Sequence, residues 1–395
     1  MLISPNIEKN VNLNDISINF VNKNRSYIFI NDNEKISKMK AKIDSLEKKN
    51  NWDVAKKYTN PFEFVYTNSK NKNTDNESIA KYKPISRSFF KFWEINKEYN
   101  IIDNNKKSYL IANLAEGPGG FIESILKIRD EKNINDNFFG ITLYNSNKYI
   151  PDWNKLKNFN KKNLFLIYGN IYNIYDVKNY INNFKYNKAN IVTADGGFDY
   201  SNDFNSQEIN SIRIIFSEIA LMLLITEVGG SFICKIFDIF TIQTLKLLYL
   251  LYNYFEFIYI FKPKTSRPAN SEKYIICKNF KGINNDELNK IIRLLEDIEK
   301  LDKLYNKDNK NNMILDFDNI IIPNNFIKEI YSFNKKYIEN QIYFLNKTFE
   351  FINNFNIIDI NQIYKEQIKN AVDFCKKNNL EYNYNESTLF LTNSS

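Results

Sequence analysis

Between residues 108 and 280, short apolar runs alternate with stretches in which apolar positions recur every three or four residues. That alternation predicts βαβ units and a mostly parallel sheet, because parallel neighbours need a crossover, usually a helix, between them. The runs predict seven strands, at 109–115, 138–143, 164–168, 190–194, 231–237, 255–261 and 273–278. The longest intervening helix is expected over about 207–228, where Ile209, Ile212, Phe216, Ile219 and Leu223 share one face. Another, over 85–98, carries Ile85, Phe89, Phe92 and Trp93 as its apolar stripe. On both sides of this region the pattern changes. Residues 1–50 are polar, and helical periodicity returns at 287–304, 325–351 and 361–377. The expected organisation is a partly helical N-terminal extension (1–80), an α/β domain (81–283) and a helical C-terminal region (284–395). The stretch 69–77 reads as a flexible surface loop, and residues 392–395 as a frayed end.

A chain of 395 residues can bury a full α/β core with helical additions. Its net charge of +8 suits a polyanionic partner such as nucleic acid, although heavy use of Lys, Asn and Ile also reflects AT-rich coding. There is no histidine, which excludes histidine bases, Ser-His-Asp triads and histidine metal sites. The three cysteines, Cys234, Cys277 and Cys375, are too few and too scattered for a disulfide framework or structural zinc, so a reducing, intracellular and cytoplasmic setting is expected. No run of 18 uncharged apolar residues occurs and the start is polar, so neither a membrane span nor a secretory leader is expected.

Glycine is scarce, with 10 residues in all, so its positions point to demanding backbone geometry. Seven of the 10 fall in three clusters: Gly117, Gly119 and Gly120; Gly196 and Gly197; Gly229 and Gly230. The first cluster follows the first strand as Ala115-Glu116-Gly117-Pro118-Gly119-Gly120-Phe121 and leads into a helix, where backbone N–H groups can meet a carboxylate or phosphate. A dinucleotide fingerprint would need glycine at position 122, which is Ile, and a P-loop would need Lys after Gly120, where Phe121 stands.

Ligands of doubly wound sheets bind outside the carboxyl ends of the strands. Asp195 lies there, directly after the fourth strand. Lys235 interrupts Phe232-Ile233-Cys234-Lys235-Ile236-Phe237, a strand expected to be covered on both faces; an ammonium there is costly unless paired or deprotonated, which favours a functional role. Glu272 opens the last strand. Lys91, by helical spacing, points away from the Phe89/Trp93 stripe as a solvated lysine would. Pattern alone selects neither Glu272 nor Lys91.

Together Lys91, Asp195, Lys235 and Glu272 resemble the Lys-Asp-Lys-Glu tetrad of the FtsJ-like ribose 2′-O-methyltransferases. The runs Ala194-Asp195-Gly196-Gly197-Phe198, Phe232 to Asp238, and Phe261-Lys262-Pro263-Lys264-Thr265-Ser266-Arg267-Pro268-Ala269-Asn270-Ser271-Glu272-Lys273-Tyr274 are similar to motifs of the cap-specific mRNA members. So are Asn60-Pro61-Phe62-Glu63 and Ser86-Arg87-Ser88-Phe89-Phe90-Lys91, so that the likeness covers roughly residues 35–282.

The resemblance implies a Rossmann-like class I fold with a seven-stranded mostly parallel sheet and S-adenosylmethionine as cofactor. It implies Lys91, Asp195, Lys235 and Glu272 as catalytic residues, with Lys235 as acceptor of the ribose proton. The cofactor's methionine part is implied to meet Gly117, Pro118, Gly119, Gly120 and Phe121, with Asn113, Glu116 and Asp195 beside it and Asn170 at the adenine. Asn113 and Asn170 stand where the family often has Asp; Asn keeps the carbonyl acceptor without the charge. Asn205, Lys264, Arg267 and Asn270 are implied RNA contacts, and no metal is required, since the leaving group departs neutral. The implied partner is the 5′ end of capped mRNA, with capping or transcription proteins beside it. A methyltransferase of ribosomal or other structured RNA, and a non-catalytic RNA-binding subunit that keeps the fold, are the alternatives.

Overall fold

The structure is a computed structural model that describes residues 2–23, 26–44, 46, 49–66, 78–129, 135–144, 152–158, 163–198, 203–305, 313–354 and 357–383. The stretches 69–77 and 392–395 singled out above lie outside these. In chain order the strands are β1 (Ser17–Asn22), β2 (Leu110–Leu114), β3 (Asn137–Thr142), β4 (Leu164–Tyr168), β5 (Ala189–Ala194), β6 (Thr226–Ile236), β7 (Phe255–Phe261), β8 (Lys273–Phe280) and β9 (Met313–Asp318). The helices are α1 (Ile30–Asp44), α2 (Lys49–Tyr58), α3 (Ser88–Tyr99), α4 (Gly120–Arg129), α5 (Ile174–Asn182), α6 (Gln207–Ile225), α7 (Ile242–Tyr254), α8 (Asn285–Tyr305), α9 (Asn324–Asn353) and α10 (Ile360–Lys377).

Seven strands form one sheet in the order β4-β3-β2-β5-β6-β8-β7. Pairing is parallel from β4 to β6, and β8 runs antiparallel to both β6 and β7. All seven expected strands are present, and only β6 departs by more than two residues, starting at Thr226 instead of 231. The cause is a bulge. Thr226 pairs with Ala189 and Ser231 with Ile191, so residues 227–230 loop out opposite Asn190. Gly229 takes φ +84°, and a Cβ on Gly230 would stand 3.1 Å from the Asn190 carbonyl oxygen, so the glycine pair is what lets α6 pass into β6 without a loop.

Strand alternation divides the core cleanly between two faces. Ala112, Leu114, Val192, Ala194, Phe232, Cys234 and Ile275 pack with α5, α6, α7 and α8 on one face. Ile111, Ile191, Ile233, Tyr274 and Ile276 pack with α3 and α4 on the other. Both faces are covered, as a mostly parallel sheet requires. By the same parity Lys235, two residues after Ile233, belongs to the α3 side, and its antiparallel partner in β8 is Tyr274.

The flanking regions pack on each other as well as on the sheet. β1 pairs with β9, so the C-terminal region, expected to be helical, also contributes a strand. Trp52 of α2 packs on Phe349 of α9 at 5.3 Å between ring centroids, and Phe64, Phe90, Ala371 and Phe374 share a small core beneath α10. The free edge of β7 is capped by the first residues of the chain, Leu2 bridging to Tyr259 and the Ile3 N–H donating to the Ile258 carbonyl at 2.9 Å. No described helix is long and apolar enough to cross a membrane.

Candidate active site

Asp195, Lys235 and Glu272 converge at one edge of the sheet, because β5 and β6 end there while β8, running the other way, begins there. Lys235 Nζ donates to the Asp195 carbonyl oxygen at 2.7 Å and lies 3.3 Å from Asp195 Oδ1. Lys91 crosses from α3 to Glu272 Oε1 at 2.7 Å, with side chains only 13% and 14% exposed, so it is not the solvated lysine that helical spacing suggests. The tetrad is thus two lysine–carboxylate pairs, brought together from four elements.

Burial alone would hold Lys235 below its ordinary range, but the carboxylates of Asp195, Glu272 and Glu218 outweigh it and raise its pKa. Glu272 moves the opposite way. Burial opposes its charge, yet Lys91 and Lys235 overcome that cost and hold it at about 2. Gly197 keeps the approach to the amine open: a Cβ there would stand 3.1 Å from Lys235 Nζ.

Three further residues support the pairs. The Tyr274 hydroxyl donates to Asp195 Oδ1 at 2.8 Å. Glu218 of α6, fully buried, accepts the Gly196 N–H at 3.1 Å, and burial raises its carboxyl to about 8. Lys262 Nζ donates to the carbonyls of Asn270 and Glu272 at 2.8 and 2.9 Å, fastening the loop that carries Glu272. Sequence reasoning missed all three. For Glu218 a signal existed, a carboxylate inside the apolar run of α6, of the same kind that exposed Lys235.

The glycine turn after β2 lies along the same sheet edge. Gly119 takes φ +98°, and a Cβ would stand 2.1 Å from Leu156 Cδ1; a Cβ on Gly120 would meet Ser88 Oγ at 2.1 Å. Here only glycine lets the turn pass between its neighbours and start α4. Glu116 does its work inward: it accepts from Asn113 Nδ2 (2.9 Å), Thr193 Oγ1 (2.5 Å) and the Ile122 N–H (3.1 Å), and burial raises its carboxyl to about 8. Asn113 is fully buried in that network, and its Oδ1 has no hydrogen-bond partner among the described residues. The Phe121 side chain is also core, packed on Phe92 and Tyr274 with ring centroids 5.2 and 5.7 Å away. Of Asn113, Glu116 and Phe121, then, the side chains shape the loop. Gly117 and Pro118 form the turn itself, with the Gly117 N–H donating to Thr142 Oγ1 at 3.3 Å. Asn170 is exposed beyond β4, its Oδ1 accepting the Tyr172 N–H at 3.0 Å.

The four implied RNA contacts lie on two neighbouring loops. Asn205 is exposed on the turn before α6, and Lys264, Arg267 and Asn270 lie on the β7–β8 loop; Ser271 Oγ donates to Gln207 Oε1 at 2.7 Å, joining the loops. Arg267 is already engaged. It pairs with Glu63 Oε1 at 3.0 Å, and Glu63 also holds Arg87 at 3.2 Å, so the motifs around residues 60, 87 and 267 meet at one buried carboxylate. Asn270 Oδ1 accepts from Lys262 Nζ at 2.8 Å, while Lys264 is exposed over the Phe62 ring. Among the described residues no cluster of three or more acidic or cysteine side chains is placed to hold a metal ion.

A sheet with one antiparallel strand slotted between its last two parallel ones, and a glycine turn and lysine–carboxylate cluster along one edge, defines a Rossmann-like class I methyltransferase, a class that uses S-adenosylmethionine. Residues 84–280 match the FtsJ-like methyltransferase family, and the chain belongs to it. Cap-specific mRNA (nucleoside-2′-O-)-methyltransferase 1A of Caenorhabditis briggsae is 30% identical over 279 residues, covering 66% of this chain and 30% of that protein. The cap-specific mRNA (nucleoside-2′-O-)-methyltransferase 1 of Bos taurus is 32% identical over 275 residues, covering 66% and 32%. A Caenorhabditis briggsae protein named as inactive cap-specific mRNA (nucleoside-2′-O-)-methyltransferase 1B is 28% identical, covering 66% and 31%. This chain thus spans about a third of the length of these relatives.

Proposed function

We propose that the chain transfers a methyl group from S-adenosylmethionine to the ribose 2′-hydroxyl of a 5′-terminal transcribed nucleotide of capped mRNA. The observation that carries this reading is the Lys235 amine, fixed 2.7 Å from the Asp195 carbonyl and 3.3 Å from its carboxylate beside the open face of Gly197. The names of the relatives supply the capped substrate.

The residues present fit the cofactor. The turn at Gly117, Pro118, Gly119 and Gly120 ends at the N-terminus of α4, where backbone N–H groups suit a carboxylate, and the buried Asn113 Oδ1 in the strand leading into it has no hydrogen-bond partner among the described residues. Asn170 stands further along the same edge for the adenine. When bound, S-adenosylmethionine supplies an electrophilic methyl group on a cationic sulfur, and that charge opposes the one on Lys235.

Lys235 orients the 2′-hydroxyl and accepts its proton as the oxygen forms its bond to the methyl carbon and the carbon–sulfur electron pair leaves with sulfur. Asp195 holds the amine in place. Glu272, held ionised by its pair with Lys91, adds negative potential beside the amine without taking the proton, since a carboxyl held at about 2 is a poor base. Asn205, Lys264 and Asn270 line the side from which RNA would enter; Arg267 acts through Glu63 to shape that loop.

Labelled methyl transfer to capped, uncapped and ribosomal RNA, with nucleoside analysis of the product, tests the reading. Label on the 2′-oxygen of a cap-proximal nucleotide is expected. Label only on ribosomal RNA would assign a different substrate, and no transfer despite RNA binding would mark a silent subunit.

A further inference from the structure

Helix α1 precedes the 84–280 family match, yet its Lys40 reaches the strand ends that carry the site. Lys40 is only 4% exposed, with Nζ 2.6 Å from Asp238 Oδ2 and 3.4 Å from the Phe204 carbonyl. Asp238 follows Lys235 by three residues at the end of β6, and its Oδ1 lies 3.8 Å from Lys273 Nζ. Lys273, equally buried, is the neighbour of Glu272 at the start of β8 and donates to the carbonyls of Phe237 (3.1 Å) and Ser271 (2.9 Å). One carboxylate between two ammoniums therefore ties the strand end bearing Lys235 to the strand start bearing Glu272.

The same helix also holds the turn that carries Asn205, through the Phe204 carbonyl and through Asn205 Nδ2 to the Ser37 carbonyl at 3.5 Å. The segment leading into α1 is strapped to the chain just beyond Asp238: the Ile28 N–H donates to Phe240 at 2.9 Å, and the Ile242 N–H to Ser26 at 2.8 Å. A buried ion pair contributes little net stability over apolar packing, while removal of one partner strands the other charge. Its distinguishing property here is position, because each ammonium also grips backbone carbonyls on the rim of the site.

We propose that Lys40 is a positioning residue for methyl transfer, acting through Asp238 and Lys273 to set the spacing between Lys235 and Glu272. The inference rests on the reading of the tetrad given above. Without Lys40, Asp238 has Lys273 as its remaining close cation and turns toward it; Lys273 then leaves the Phe237 and Ser271 carbonyls, and the two strand ends part.

The test is Lys40→Met, with Asp238→Asn and the double variant for comparison. Activity is counted per cofactor-binding site, so that unfolded protein does not enter. Loss of kcat by roughly tenfold or more is expected, since displacements near 1 Å cost up to about a hundredfold, with KM for RNA and Kd for S-adenosylmethionine changed by less than about threefold. In the Asp238→Asn background Lys40→Met should cost little more, because the two act as a unit.

Hydrogen exchange on the cofactor-free chain gives a readout that needs no activity. Amides of 203–207, 236–240 and 271–273 should exchange faster in the variant, and those of β2 to β4 should not. Native-like kcat per site, multiplicative effects in the double variant, or unchanged exchange would each overturn the proposal. If Lys40→Met yields no cofactor-binding protein, Lys40→Gln, which keeps a donor toward Asp238, carries the same comparisons. Should the native chain itself transfer no methyl group, the assigned activity fails, while the exchange comparison still decides the role of Lys40.

Discussion

Glu272→Gln keeps the shape of the side chain and removes its charge, so it isolates what the carboxylate contributes. In the native protein that carboxylate lies 2.7 Å from Lys91 Nζ, with both side chains mostly buried. Burial alone would raise its pKa; Lys91 and Lys235 instead hold it at about 2, against an ordinary 4.5. That difference corresponds to about 3 kcal/mol of native-state stability at neutral pH. Because the folded-state pKa is the depressed one, this contribution is fully present above pH 4.5 and is lost as pH falls toward 2. Urea denaturation at pH 7 should therefore show the Gln variant less stable by about 3 kcal/mol, with the deficit shrinking below pH 4.5. A deficit under about 0.5 kcal/mol, the worth of an exposed ion pair, or one that persists undiminished at the acid end, would refute the reasoning.

Glu218 predicts the opposite pH dependence: its carboxyl is raised to about 8, so it favours the folded state most at low pH and stability should fall between 4.5 and 8. Glu218→Gln should flatten that fall in a pH series of denaturation curves, and an unaltered slope would count against a neutral buried carboxyl. The raised pKa of Lys235 predicts that kcat/KM climbs with pH through the neutral range, about tenfold per pH unit, as the amine deprotonates. Glu272→Gln, which removes one carboxylate that raises Lys235, should move the climb to lower pH, whereas a flat profile would remove Lys235 as the acceptor. Gly119→Ala adds a Cβ 2.1 Å from Leu156 Cδ1 at φ +98°; a loss of about 1–3 kcal/mol in stability and weaker cofactor binding by calorimetry are expected, and a native-like variant would mean that the turn is not packed as described.

Much of this was legible in the chain because the sheet is covered on both faces. Its strands are short apolar runs that stand out against an Asn- and Lys-rich background, and a charge such as Lys235 within one of them is conspicuous. Lys91 was not legible by itself, since its partner Glu272 comes from a remote strand and local spacing shows only a polar position on a helix. The β1–β9 pair was hidden for a related reason: β1 is brief and half polar, β9 is a short apolar run between helical stretches, and each finds its partner only at the other end of the chain. Lys40 sits in a polar extension where every charge looks solvated, and the pairing of Arg267 with Glu63 joins residues too far apart in the chain for local pattern to show.

Lys235→Met measures the central claim most directly, because methionine preserves the bulk of the side chain and removes the proton acceptor. Labelled methyl transfer to capped RNA should fall by about 10²–10⁴-fold, while calorimetry finds S-adenosylmethionine bound within about threefold of native affinity. A variant that still methylates the ribose at the native rate would contradict the account, since the proton would then be leaving by another route.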